Sequence, residues 1–195
     1  ADTNLRAEFT LFGNNLWKLD IGSFLTKITN LIVLLPTSQR YLRAHNLLTQ
    51  TIAGLEFGLA TRYKWGAFNL TYTGLHARDD DGHFTPGIPS HRLNLNISTQ
   101  WFGLVFSYQP NFQTEIFVDP DNRIGLPQRL LHNINLSYAL QKLGLEIKAS
   151  VHNLADKQSA IFPLPGGLSG IVTLGDYLGY PLAGRSFFIS CSSKI

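Results

Sequence analysis

Gln50-Thr51-Ile52-Ala53-Gly54-Leu55-Glu56-Phe57-Gly58-Leu59-Ala60-Thr61-Arg62-Tyr63 decides the fold. Ala53, Leu55, Phe57, Leu59 and Tyr63 share one parity, while Gln50, Gly54, Glu56, Gly58 and Arg62 share the other. Side chains of an extended strand alternate between faces, so this run has one greasy face and one polar face. About ten such residues, tilted by about 40°, rise roughly 25 Å, the height of the apolar band of a membrane barrel. Lys64-Trp65-Gly66 then turns the chain, and the pattern resumes with Phe68, Leu70 and Tyr72 against Asn69, Thr71 and Thr73.

The same beat runs in both directions from there, and nine strands are predicted. Upstream, Asn4 to Gly13 sets Leu5, Ala7, Phe9 and Leu11 against Arg6, Glu8 and Thr10. After Asn14-Asn15, Trp17, Leu19 and Ile21 oppose Lys18, Asp20 and Gly22, and the alternation blurs beyond Ser23, as a bulge or a strand rising past a membrane would make it. Downstream, Leu93, Leu95, Ile97 and Trp101 oppose Arg92, Asn94, Asn96, Ser98 and Gln100. Leu104, Phe106 and Tyr108 then oppose Gly103, Ser107 and Gln109, and Ile134, Leu136, Tyr138 and Leu140 oppose Asn133, Asn135 and Ser137. Leu145, Ile147, Ala149 and Val151 oppose Glu146, Lys148, Ser150 and His152, and the last strand sets Phe187, Ile189 and Cys191 against Ser190, Ser192 and Lys194.

Alternation alone also fits a soluble sandwich with one wet face. The composition of the polar face separates the two. It is Gly, Asn, Ser and Thr with a few charges, and only 15% of the chain is charged, against roughly 25% in soluble domains. All three tryptophans, Trp17, Trp65 and Trp101, lie at or beside turns, as in an interfacial belt. The expected fold is therefore all-β, a transmembrane antiparallel barrel seen in part, with lipid on the apolar side.

Connections alternate between about two to four residues and about ten to thirty, the asymmetry of short periplasmic turns and long outer loops. With the short turns on the periplasmic side, the first strand starts at the outer surface. Nine is odd, and an open sheet in lipid leaves unpaired edges, so further strands are expected before Ala1 and the isolated piece is not expected to fold stably.

The totals exclude other classes. Hydrophobic residues make 44% of 195 and mean hydropathy is +0.02, enough for a core. The longest strongly apolar run, Leu31-Ile32-Val33-Leu34-Leu35, is far short of a spanning helix. Net charge of +3 without a basic cluster gives no nucleic-acid footprint. The single cysteine, Cys191, allows no intrachain disulfide and reads as a small apolar side chain. Nucleophile-elbow, phosphate-loop and zinc-protease motifs are missing, so no enzyme, cofactor or catalytic residue is expected. Asp79-Asp80-Asp81-Gly82 lacks the one-three-five spacing of a calcium loop. The flanking His76, His83 and His91 give no convergent metal set, so no metal is assigned.

Four segments carry a resemblance. Gly54-Leu55-Glu56-Phe57-Gly58-Leu59 resembles a barrel strand of TonB-dependent outer-membrane receptors. Pro86-Gly87-Ile88-Pro89-Ser90-His91-Arg92-Leu93 is similar to that family's Pro-rich strand entry. Val151-His152-Asn153-Leu154-Ala155-Asp156-Lys157-Gln158 resembles its Asn-Leu-x-Asp-Lys segment, and Gly179-Tyr180-Pro181-Leu182-Ala183-Gly184-Arg185-Ser186-Phe187 resembles its closing strand. The resemblance covers residues 1–195 as the carboxyl-terminal part of a 22-stranded barrel, with plug and earlier strands absent. Ala183 stands where the family has Pro, and the chain ends Ser190-Cys191-Ser192-Ser193-Lys194-Ile195 without the family's terminal aromatic.

The resemblance implies an outer-membrane receptor of a Gram-negative-type bacterium that takes up a scarce nutrient, foremost a ferric siderophore. It implies TonB, reached through the missing amino-terminal region, and the barrel-assembly machinery, reached through the last strand, as partners. A passive porin and a soluble β-sandwich binding module are the alternatives. Arg40, Tyr41, Arg43 and His45, in a predicted 36–47 loop with no acid, are the candidate ligand contacts. Inward Glu56, Arg62, Arg92, Glu146 and Lys148 are expected to line the lumen. The 156–183 stretch is expected to be a long loop over the mouth or the plug.

Overall fold

The computed structural model describes residues 3–13, 16–29, 32–36, 42–46, 49–117, 119–123, 125–157, 161–163, 171–173 and 183–193. Its strands are β1 (Thr3–Gly13), β2 (Trp17–Thr29), β3 (Ile32–Pro36), β4 (Leu42–Asn46), β5 (Thr49–Tyr63), β6 (Gly66–Asp79), β7 (His91–Trp101) and β8 (Leu104–Gln113). They continue with β9 (Ile116–Phe117), β10 (Gly125–Leu126), β11 (Arg129–Leu140), β12 (Leu145–His152), β13 (Ile161–Pro163), β14 (Ile171–Thr173) and β15 (Ser186–Ser193). One nine-stranded antiparallel sheet runs β1-β2-β5-β6-β7-β8-β11-β12-β15, so every neighbour follows its neighbour along the chain. Three small hairpins, β3–β4, β9–β10 and β13–β14, sit inside the long connections.

Cross-strand register explains why the sheet has two unlike faces. One rung reads Ile21, Phe57, Tyr72, Leu93, Phe112, Leu130, apolar throughout. The next rung reads Gly22, Glu56, Thr73, Arg92, Gln113, Arg129, without a large apolar side chain. A slip of one residue in any strand would move its apolar set to the wrong face, so the pattern fixes the register.

No second sheet packs on this one among the described residues. Leu55 is 50% exposed, Phe9 70% and Ile189 82%. A two-layer sandwich would bury such side chains in a core about 10 Å thick. The soluble-sandwich alternative fails here. No described helix is long and apolar enough to cross a membrane. Cys191 lies on the apolar face of β15, exposed and opposite Ile147.

Three expectations change. The blur after Ser23 is not a bulge, because β2 keeps one register against β5 from Trp17–Thr61 to Thr29–Thr49. It arises because Phe24 lies on the polar face, flat over Gly54, where a Cβ would come within 2.3 Å of the ring. Only glycine accepts that approach. The predicted 36–47 loop contains β4, which pairs with β3, and the 156–183 stretch contains the β13–β14 hairpin.

Short connections are built by local backbone chemistry. Phe102 and Gly103 both have positive φ, 45° and 80°, the requirement of a two-residue hairpin turn whose twist matches the strands. The β11–β12 link is one 3₁₀ turn, Gln141–Leu143, closed by left-handed Gly144.

Candidate functional site

The polar face is a wall of hydrogen-bonded side chains. At its β1–β2–β5 side, Arg6 bridges Glu8 and Glu56, the latter at 3.0 Å. Beside it Asp20 accepts from Thr10 at 2.7 Å and pairs with Lys18 at 2.8 Å. Across β7 and β8 the wall turns to amides and hydroxyls. Asn111 donates to Asn94, Asn94 to Thr71 at 3.4 Å, and Ser107 to Asn96 at 3.0 Å. On β12 Glu146 accepts from Ser137 at 2.7 Å and pairs with Lys148 at 3.1 Å. Such a surface is preorganised for polar matter, whether water or another protein segment.

All five expected wall residues lie on this face, but they do not form one cluster. Glu56 and Arg92 share a rung, separated by Thr73. Glu146 and Lys148 form their own pair on β12, and Arg62 stands near the short-turn end of β5. Of the ligand candidates, Arg40 and Tyr41 lie outside the described residues, and Arg43 and His45 are placed only as members of β4.

Sequence reasoning missed the rim. The buried described side chains of Gln50, Ala77, Thr85, Gln113, Ile116, Leu126 and Asn153 lie at the long-loop end, whereas buried Gly22 sits within the wall between Glu8 and Glu56. Thr85 donates to fully buried Gln50 at 2.5 Å, and its own N–H reaches the Ala77 carbonyl. Phe84 stacks on Phe117 at 5.6 Å and carries the Arg78 guanidinium 4.1 Å above its ring. The Asn122 amide clasps Phe84 through both its N–H and its carbonyl, at 2.6 and 2.9 Å. Gly87 N–H donates to the Phe117 carbonyl at 2.8 Å, so the β6–β7 and β8–β11 connections are knotted together.

A second clasp is centred on Asn153. Its backbone N–H donates to the Asn133 side chain at 3.0 Å, and its side-chain amide donates to the carbonyls of Lys157 and Ala183, each at 2.9 Å. Its Oδ1 accepts from Lys157 N–H at 2.8 Å, and its φ of 51° suits asparagine. Asp156 accepts from Arg185 N–H at 2.8 Å. The Asn-Leu-x-Asp-Lys segment thereby ties the outer end of β12 to the start of β15. The signal for both clasps was the Asn, Asp, Gly and Pro content of these stretches, but which groups meet depends on contacts far apart in sequence.

The histidines around the acidic loop do not converge. His76 and His91 take apolar-face positions, whereas His83 turns to Asp79, with Nδ1 at 3.6 Å from its Oδ2. Asp79, Asp81 and His83 have ligand atoms within 4.8 Å of one another, and the first and last already engage each other.

An antiparallel sheet with a continuous apolar face, a polar opposite face, short turns at one end and long loops at the other is the wall of an outer-membrane transmembrane barrel. The family described as TonB dependent receptor-like, beta-barrel, matches residues 3–154. This chain belongs to that family. Comparison with curated proteins gives no match.

Solved structures share the fold. The ferric yersiniabactin uptake receptor FyuA of Yersinia pestis superposes with a TM-score of 0.75 at 14% identity, over 97% of this chain and 29% of that one. The copper transporter OprC gives 0.72 at 14% identity, over 100% of this chain and 31% of that one. The ferripyoverdine receptor of the outer membrane of Pseudomonas aeruginosa, bound to ferripyoverdine, gives 0.68 at 15% identity, over 97% and 27%. This chain thus spans less than a third of the length of each.

Proposed function

We propose that this chain, residues 1–195, forms the carboxyl-terminal part of the barrel of an outer-membrane receptor whose plug and earlier strands belong to the same protein. The whole protein takes up a scarce nutrient, foremost a ferric siderophore, with energy delivered through TonB. The observation that supports this best is the alternation of apolar and polar rungs across nine strands. The hydrogen-bonded amide wall is suited to hold a plug rather than to repel it. Relatives of like fold are described as receptors for ferric yersiniabactin and ferripyoverdine, which favours the siderophore class.

In this reading Arg40, Tyr41, Arg43 and His45 of the 36–47 stretch offer cations and an aromatic ring to an anionic, ring-bearing chelate. Glu56, Arg62, Arg92, Glu146 and Lys148 face the plug or channel water, and β15 engages the assembly machinery. The test is uptake of radiolabelled ferric siderophores by cells carrying the complete gene, with and without TonB. TonB-dependent uptake of one chelate supports the reading. Uptake that continues at full rate without TonB overturns it in favour of a passive channel.

A further inference from the structure

Charge on the apolar face is confined to one end. Among the described strand residues of the nine-stranded sheet, every carboxylate takes the polar face: Glu8, Asp20, Glu56, Asp79 and Glu146. The apolar face instead carries Lys27, His76, His91 and His132 at its long-loop end. Lys27 stands ten positions beyond Trp17 on β2, and His91 ten positions before Trp101 on β7. At roughly 2.5 Å of rise per tilted residue, that is about 25 Å from the tryptophan belt, the far edge of the hydrocarbon. Arg78 shares this zone, but its guanidinium is taken up by the Gly82 carbonyl and the Phe84 ring.

Two of these histidines are held in the same way. Tyr72 stacks on His91 with centroids 6.0 Å apart, and its hydroxyl lies 2.8 Å from Nδ1. Tyr108 stacks on His132 at 5.9 Å, with its hydroxyl 2.6 Å from Nδ1. Each histidine sits two positions diagonally from its tyrosine's cross-strand partner, Leu93 and Ile134 respectively. In the tautomer that accepts the hydroxyl at Nδ1, the Nε2–H of the ring is left to donate outward. A phosphate accepts such N–H groups and the Lys27 ammonium, and among the described strand residues no carboxylate shares that face.

We infer that this belt binds a phosphate-bearing lipid headgroup of the leaflet on the long-loop side, of the bisphosphorylated lipid A type. Charge complementarity selects that occupant: the zone lies at headgroup depth and carries Lys27 and three histidines, with no carboxylate on the same face among the described strand residues. The inference rests on the apolar face being the lipid face, and not on which nutrient is carried.

The complete receptor is extracted, exchanged into neutral detergent, and incubated with bisphosphorylated lipid A or with its dephosphorylated form. Retained lipid is counted by native mass spectrometry. Wild type retains the phosphorylated form at least about tenfold better than the dephosphorylated one, as several donors at an anionic surface require. The combined Lys27→Gln, His76→Gln, His91→Gln and His132→Gln variant loses that preference, with heat-resistant gel migration checking that the barrel has formed. Equal retention of the two lipids by wild type overturns the proposal without recourse to any variant. A folded variant that keeps the preference overturns it too, as does a wild type in which the belt captures a second receptor copy instead of lipid. Siderophore uptake measured in parallel separates this failure from failure of the transport reading.

Discussion

The wall and the rim of this molecule are stabilised in opposite ways. Across the wall, side chains such as Phe9, Leu55 and Ile189 lie open on one face, and the opposite face is half-open polar. At the rim, Gln50, Ala77, Thr85 and Ile116 are almost wholly buried among the knotted connections. The wall therefore depends on its backbone ladder and on the solvents placed against it, hydrocarbon outside and polar matter within. The rim carries its own small core and needs neither. A barrel of this type delegates its hydrophobic burial to the membrane and keeps side-chain packing for the loops that must hold a shape in water.

The largest expected effect is on the wall. Leu59 pairs with Leu19 and Leu70 on the apolar face. Leu59→Arg in the complete receptor should cost about 2–4 kcal/mol of folding stability in lipid, read by urea unfolding in phospholipid vesicles. A loss below about 0.5 kcal/mol would mean that this face does not meet hydrocarbon. Next comes Asn153→Ala, which strips the partners from several buried polar groups and should cost about 2–3 kcal/mol. Asn153→Gly suits the positive φ but restores no side-chain bond, so it should lose nearly as much. Full rescue by glycine would show that backbone conformation, not the clasp, matters.

Phe84→Ala sharpens the contrast. It removes the Phe117 stack and the Arg78 contact, worth about 1–2 kcal/mol. Hydrogen exchange at the Thr85 and Gly87 amides should quicken about tenfold, while the wall amide of Phe57 stays unchanged. Faster exchange at both places would join rim and wall into one cooperative unit and end the distinction. The smallest effect belongs to Glu56→Gln. Its pair with Arg6 is substantially exposed, so the change should stay within about 1 kcal/mol and shrink in high salt, measured by the same unfolding assay.

How much of this was legible in the sequence follows from the range of the forces involved. The parity of Leu55, Phe57 and Leu59 against Glu56 and Gly58 is local, and it gave the strands, their faces and the short-turn asymmetry. Phe24 misled because its place on the polar face depends on Gly54, thirty residues away, leaving room for the ring. The β3–β4 hairpin was hidden because a short ladder without clean alternation has no periodic signature. The polar-face residues were legible as a face but not as partners: nothing near Glu56 announces Arg6, fifty residues upstream. The rim knot was least legible, because Gln50 of β5 meets Thr85, and Phe84 meets Asn122, only after two separate connections have folded.

Cys191 and the complete lack of methionine leave one sulfur atom in these 195 residues. That atom stands on the greasy side of β15, opposite Ile147. Sulfur-directed oxidants dissolved in water therefore find no methionine to attack in this stretch, whereas a maleimide that partitions into oil finds a single address. Nature has left a ready-made anchor for a depth-sensing dye on the strand at the edge of this sheet.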